Sequence, residues 1–321
     1  MGERDKRQGQ GRVRVPVAKK TPMQNPLSEM ISEWVGWLGS PGSSRRPRAA
    51  TTVKTYRRTS EAFAQYLLEG GGPTYVEDVT DRHVSDYLAS CPDRSRETYF
   101  AHLQQFFRYL VAEEIIETSP LARMVRPKTE ESEPRILSPA EIGALLASVK
   151  GKTLLNDVRD NAVIRLLYDS GARRSEVANL KLDDLDTEGR VAMVIRKGGG
   201  REAAIFGDNT AHALRRYLRL RKGHADAASE WLWLGLRGRL TPGGLDQMLE
   251  RRGIAAGIGH VNAHAFRHTF THVMKEKNAS DEDLMTLGGW KTPQMLRHYG
   301  RTNALARAKQ AHAKLSPGND V

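Results

Sequence analysis

Cysteine is almost missing from this chain. Cys91 stands alone among 321 residues, so no internal disulfide can close and no cysteine-based zinc site can form. Long apolar runs are missing too. No stretch is long enough to cross a bilayer, and the N-terminus lacks the apolar core of a secretory signal. Acidic residues are in deficit, 38 Asp and Glu against 50 Lys and Arg, which leaves a formal charge of +12 and a pI near 9.8. These absences point to a reducing cytoplasm and to a polyanionic partner, because each neutralised phosphate releases condensed counterions. Nucleic acid is the first candidate and an anionic membrane surface the alternative. With 39% hydrophobic and 27% charged residues the composition is that of a globular protein, and the length suits two domains with a core each.

Residues 1–24 are rich in Arg, Lys, Gly and Gln without periodicity. They read as a flexible basic arm or, equally, as a solubilising tail. From Pro26 onward Leu27, Met30, Ile31, Trp34, Trp37 and Leu38 recur at helical spacing. A second helix is expected from Thr51 or Thr52 through Tyr56, Ala62, Phe63, Tyr66 and Leu67 to the Gly70-Gly71-Gly72 stop. Two more are expected at about Asp81–Leu88 and Ser95–Ala112, the last carrying Tyr99, Leu103, Phe106, Phe107 and Leu110. Together they make a four-helix domain over residues 25–118. Its Lys54, Arg57, Arg58, Arg94 and Arg96 lie near helix ends, where phosphate contacts are easily made. A solvated charged face is the alternative for any one of them. Residues 119–137, with several prolines and a run of Lys, Thr, Glu and Ser, read as an extended linker.

Ser138-Pro139-Ala140-Glu141 is a capping box with proline at the first helical position, so a second domain opens there and runs over 138–321. Helices are expected at about 139–149 and 157–169, the latter stopped by Gly171, and another from Arg174 through Val177 and Leu180. The β-branched run Val191–Ile195, the turn Lys197-Gly198-Gly199-Gly200 and the run Ala203–Phe206 read as a hairpin. The rest is read as helical at about 209–222, 241–256, 263–277, 281–287, 292–299 and 304–315, with Trp231–Leu234 a short strand or buried loop. The fold class is therefore mainly α with a small β-hairpin or sheet.

Several basic groups in the second domain sit at helix ends or turns, where anion sites are built. Arg173 follows the turn at Gly171. His264 and Arg267, three apart behind the cap Asn262, share a helix face. Lys197 stands at the hairpin tip, and Tyr299 ends a short helix before Gly300. His264, His268 and His272 recur at four-residue steps, a pattern that could serve a metal. No glutamate stands where a zinc-protease motif needs it, and three ligands in a row along one helix suit tetrahedral geometry poorly, so His268 and His272 are read as structural or surface residues.

Gly171-Ala172-Arg173-Arg174-Ser175-Glu176, followed by Leu180, resembles the first signature of the tyrosine recombinases, the phage-integrase and Xer-type family. His264-Ala265-Phe266-Arg267-His268 resembles its His-x-x-Arg box. Leu287-Gly288-Gly289-Trp290, with Tyr299 nine residues after the tryptophan, resembles its third box and nucleophile, and Lys197 is similar to its hairpin lysine. The resemblance spans about residues 138–315. Trp290 stands where many members have histidine, and the triple glycine after Lys197 loosens that turn.

The resemblance implies a two-domain DNA clamp, a helical core-binding (SAM-like) domain joined to a catalytic domain with a C-terminal tail helix. It implies cleavage and rejoining of DNA through a 3′-phosphotyrosine on Tyr299, without metal, ATP or other cofactor. Arg173 and Arg267 would clamp the non-bridging oxygens, and Lys197 would protonate the 5′-hydroxyl. His264 would act as general base or phosphate ligand, Trp290 would donate a hydrogen bond, and Glu176 would orient Arg173 or His264. Expected partners are double-stranded DNA with paired sites, a homotetramer on DNA formed through the tail (the helix marked by Ala304, Leu305, Ala308, Ala311, His312 and Leu315), and accessory DNA-bending or directionality proteins. The basic arm leans towards an integrase of a phage or mobile element, with Xer-like dimer resolution second. A type IB topoisomerase-like enzyme and an inert DNA-binding protein are the alternatives.

Overall fold

The computed structural model describes residues 24–40, 47–129, 134–149, 154–196, 199–236, 238–294, 296, 309, 312, 313 and 316. Lys197, Tyr299 and most of the arm and tail lie outside the described residues. The chain divides into two compact units, Met1–Glu131 and Ser132–Val321. Among the described residues no helix is long and apolar enough to cross a membrane.

The first unit consists of α1 (Leu27–Gly39), α2 (Ala50–Glu69), α3 (Asp81–Ser90) and α4 (Asp93–Ala112). The three-four spacing of Leu27, Met30, Ile31, Trp34 and Leu38 turns one face of α1 into the core, and Trp37 is only partly covered. Aromatic rings from all four helices interlock there: Trp34 lies 5.4 Å from Tyr56 and 5.3 Å from Phe106, and Phe63 lies 5.2 Å from Tyr87. A backbone pairing of Pro26 with Tyr75 ties the entry of α1 to the loop after α2.

The second unit is mainly helical around small sheets. It comprises α5 (Pro139–Ala147), α6 (Leu155–Ser170), α7 (Arg174–Ala178), β1 (Leu185–Asp186), β2 (Val191–Ile195), β3 (Arg201–Ile205), α8 (Asp208–Arg221), β4 (Leu234–Gly235), β5 (Gly238–Arg239), α9 (Pro242–Ala255), α10 (Ala263–Glu276) and α11 (Asp281–Gly288). The capping box forms: Ser138 Oγ accepts from the Glu141 backbone N–H at 3.2 Å, and Glu141 Oε2 accepts from the Ser138 N–H at 2.8 Å. α6 is the buried axis of this unit, its Val158, Ala162, Val163, Ile164, Leu166 and Leu167 packed against α8 and α10. It stops at Gly171, whose left-handed φ of 60° carries the chain sharply into α7.

Strands β1, β2 and β3 form an antiparallel sheet in that order, with Met193 opposite Ala203. The ladder begins at Arg201, two residues before the expected Ala203, because pairing with Ile195 extends it through charged residues that hydropathy does not mark. The Trp231–Leu234 run is both strand and buried loop. Trp231 bridges to Lys181, Leu234 opens β4, and Leu232, Trp233 and Leu234 are fully buried. Leu121 and Leu137, both inside the segment expected to be an extended linker, are core residues of the first and second units. Leu137 is further fixed by its N–H to Thr269 Oγ1 at 2.8 Å. The helices expected at 292–299 and 304–315 fall largely outside the described residues.

Candidate active site

Arg173 is the N-cap of α7, placed there by the turn at Gly171. Its side chain does not reach into solvent alone. Glu176, three residues on and therefore on the same side of the helix, accepts from the Arg173 backbone N–H at 2.8 Å and from Arg173 Nη1 at 2.8 Å. Glu176 is 4% exposed, a buried carboxylate that needs such donors to offset its desolvation. It also accepts from Arg196 Nη1 at 3.0 Å. Its partners thus include Arg173, one of the two residues it was expected to orient, and Arg196.

α10 supplies the second cluster. Asn262 caps it, its Oδ1 accepting from the Ala265 N–H at 3.0 Å, and this fixes His264 and Arg267 on the first turns. Arg267 is 1% exposed and bridges two segments: Nη1 donates to Gly171 O and Nη2 to Gly288 O, both at 2.8 Å. Its guanidinium lies 3.9 Å from the centre of the Trp290 ring, a cation–π stack in a desolvated place. Arg267 is therefore a structural staple as well as a candidate clamp, which its helical spacing did not reveal.

Trp290 is buried, and Gly288 makes room for it: a Cβ on Gly288 would fall 1.7 Å from the indole. His264, at the start of α10, is open to solvent on one side and covered on the other by His268, whose ring it meets edge to face at 4.3 Å. Burial, then Arg267, then Arg173 push the His264 pKa below the ordinary histidine value. Both arginines thus bear electrostatically on this imidazole. His268 is pushed down to about 4 by burial first, then by His264 and Arg267. His272 points to Glu276 at 3.1 Å.

Arg196 is the residue that the sequence reading passed over. It follows β2 directly and is 3% exposed, yet it makes four side-chain hydrogen bonds. Nε donates to Glu202 at 3.1 Å, Nη1 to Glu176 at 3.0 Å and to Gly288 O at 2.9 Å, and Nη2 to Leu287 O at 3.0 Å. The only local signal is a charge next to a glycine turn, which usually means solvent.

In the first unit Lys54, Arg57 and Arg58 on α2 and Arg94 on α4 are exposed. Arg57 has a long ion pair with Glu61 at 3.8 Å. Arg96 has partners close by in the chain. Its Nε donates to Leu88 O at 2.9 Å and Cys91 O at 3.1 Å, its Nη2 to Ala89 O at 2.9 Å, and its Nη1 pairs with Asp93 at 2.7 Å. It satisfies the last carbonyls of α3, where a helix has no partners of its own.

Comparison with known proteins places this geometry. The Phage integrase family model matches residues 135–305. The chain is 31% identical over 236 residues to the tyrosine recombinase XerC of Myxococcus xanthus, covering 70% of this chain and 78% of that protein. Its fold is similar to that of XerH site-specific recombinase bound to a palindromic difH substrate, with a TM-score of 0.72 at 16% identity, covering 91% and 98% of the two chains. It is also similar to a lambda integrase tetramer bound to a Holliday junction, with a TM-score of 0.66 at 18% identity over 86% and 78%.

Proposed function

The chain belongs to the phage integrase family, the tyrosine site-specific recombinases, and on that premise we propose that Tyr299 is its nucleophile and that Arg173, Lys197, His264, Arg267 and Trp290 complete the catalytic set. The observation that carries this reading is one cluster built from three segments of chain: Arg267 stacks on Trp290 and donates to Gly171 O and Gly288 O, and Arg196 joins Gly288 O to the buried carboxylate that holds Arg173. His264 lies within electrostatic reach of both clamp arginines. Arg173, Arg196 and Arg267 outnumber Glu176 and Glu202, so the cluster keeps a surplus positive charge suited to a phosphodiester.

Attack by the Tyr299 oxygen on phosphorus forms a phosphotyrosine bond while the bond to the 5′ oxygen breaks. A phenol has a pKa near 10, so its proton must leave as the new bond forms. His264, biased towards its neutral form by burial and then by Arg267 and Arg173, takes that proton or hydrogen-bonds the phosphate. Lys197 gives a proton to the leaving 5′ oxygen. The forks of Arg173 and Arg267 neutralise the non-bridging oxygens, where developing charge is greatest. Because the 3′-phosphotyrosine keeps the phosphoester, a 5′-hydroxyl of a partner strand can reverse the step, and no ATP or metal is required. Glu176 orients Arg173. Lys54, Arg57, Arg58, Arg94 and Arg96 meet the phosphate backbone. The whole works in the cytoplasm on paired double-stranded sites, as a tetramer linked through the tail helix, a reading supported by the similarity to the lambda integrase tetramer on a Holliday junction.

The test is an SDS-resistant protein–DNA adduct on nicked substrates taken from DNA flanking the gene. Wild type is expected to form it and Tyr299→Phe to bind without forming it. Tight specific binding by both proteins with no adduct from either would replace the enzyme by an inert DNA-binding protein.

A further inference from the structure

We propose that Arg196 is a positioning residue for the phosphate clamp, a buried guanidinium that locks Arg173 and Arg267 into one geometry without touching the DNA. The inference rests on the reading of Arg173 and Arg267 as the clamp.

Three segments meet at Arg196, and each carries part of the site. Through Nη1 it holds Glu176, which in turn holds the backbone and side chain of Arg173. The same Nη1 shares Gly288 O with Arg267 Nη2, so one carbonyl fixes both guanidiniums. Nη2 takes Leu287 O, and these are the last carbonyls of α11, the electronegative end of the helix immediately before Trp290. Nε takes Glu202 across the hairpin. The Arg196 backbone also bonds the start of the returning strand, its N–H donating to Gly200 O at 2.8 Å and its carbonyl accepting from the Gly199 N–H at 2.9 Å. The packing is close: a Cβ on Gly289 would lie 2.6 Å from Arg196 Nε.

A buried cation is an expensive way to fill space, because apolar side chains of similar volume hold a fold as well without the desolvation. Its geometry is what an apolar residue could not reproduce. Only a planar fork reaches two carboxylates and two carbonyls lying in different directions, and a lysine ammonium would engage one side of the cluster and release the other. Arg196 therefore sets the distance between the clamp arginines, and it acts through them.

The experiment uses the full chain and a substrate carrying the cut phosphate either as the ordinary diester or as a methylphosphonate, in which a methyl replaces one non-bridging oxygen and removes the charge. A neutral centre needs little clamping, so a defect that acts through the clamp shrinks on it. Arg196→Met should lower single-turnover adduct formation about a hundredfold on the diester, in line with loss of one preorganised donor. It should bind the DNA as wild type does, and it should come within a few-fold of wild type on the methylphosphonate. Arg196→Lys should behave like Arg196→Met. Should Arg196→Met fail to fold, Glu202→Gln, which loosens only the Nε contact, should show a smaller diester defect that the methylphosphonate also removes. Equal losses on both substrates, or full activity of Arg196→Lys, would overturn the proposal. Arg173→Ala separates the two readings. If its defect shrinks on the methylphosphonate and that of Arg196→Met does not, only the role of Arg196 falls; if its own defect does not shrink, the clamp reading falls and this inference with it.

Discussion

Glu176→Gln tests the site at its most connected carboxylate. Oε2 accepts two N–H groups, from the Arg173 backbone at 2.8 Å and Arg196 Nη1 at 3.0 Å, while Oε1 accepts one, from Arg173 Nη1 at 2.8 Å. An amide has one oxygen, so the glutamine turns it towards the two donors and sets its NH2 against Arg173 Nη1. Arg196 keeps its bonds to Glu202, Leu287 O and Gly288 O and stays in place. Arg173, whose side chain is 30% exposed, is the one that swings away. Losing one charge-assisted bond costs about 1.5–3 kcal/mol, and the unbalanced buried cation brings the total to about 3 kcal/mol. For a unit of this size that lowers Tm by about 6–12 °C. Misplacing one transition-state donor should slow adduct formation about 10²- to 10³-fold at saturating DNA. Calorimetry and single-turnover cleavage read the two effects separately. A lowered Tm with cleavage within a few-fold of wild type would refute the reasoning, because Arg173 would then not depend on Glu176.

Four further outcomes are expected. His264 is held below the ordinary histidine value by burial, Arg267 and Arg173, so single-turnover cleavage should rise with pH through a midpoint below 6.5 and then level off; a midpoint above 6.5 would remove the neutral imidazole from the mechanism. His268, at about 4 when folded and about 6.5 when unfolded, is neutral in the fold, so its contribution is complete above pH 6.5 and is lost as the pH falls towards 4. Urea melts should weaken over that window, and less so in His268→Gln. Gly288→Ala places a methyl inside the Trp290 ring and should displace the indole from Arg267, seen as a changed tryptophan emission together with slower cleavage. Arg96→Ala should destabilise the first unit, since it leaves three carbonyls without that donor, whereas Arg58→Ala should leave Tm unchanged and reduce the salt dependence of DNA binding by about one counterion.

Helix positions were legible because they depend on neighbours in sequence. The Ser138 capping box, the stop at Gly171 and the apolar stripe of α1 involve residues at most a few turns apart, and all form as their spacing requires. Arg173 and Glu176 belong to the same class, since a separation of three on a helix start brings them together. The start of β3 at Arg201 was not legible, because its partner Ile195 decides it and alternation of hydropathy does not extend that far. Leu121 and Leu137 likewise look like linker residues from their prolines and charged neighbours, and only the packing of each unit makes them core.

The order and spacing of the motifs around Arg173, His264, Arg267 and Trp290 were enough to mark the family and its chemistry, because residue type and local spacing are written in the chain itself. What the tertiary structure alone decided is how those motifs are joined. Glu176 serves Arg173 and Arg196, Arg267 staples Gly171 to Gly288, and Arg96 caps the end of α3. Each of these is settled by which carbonyl or carboxylate lies within about 3 Å in the folded chain. For Arg196 those acceptors come from residues up to 92 positions away, a relation that no local pattern encodes.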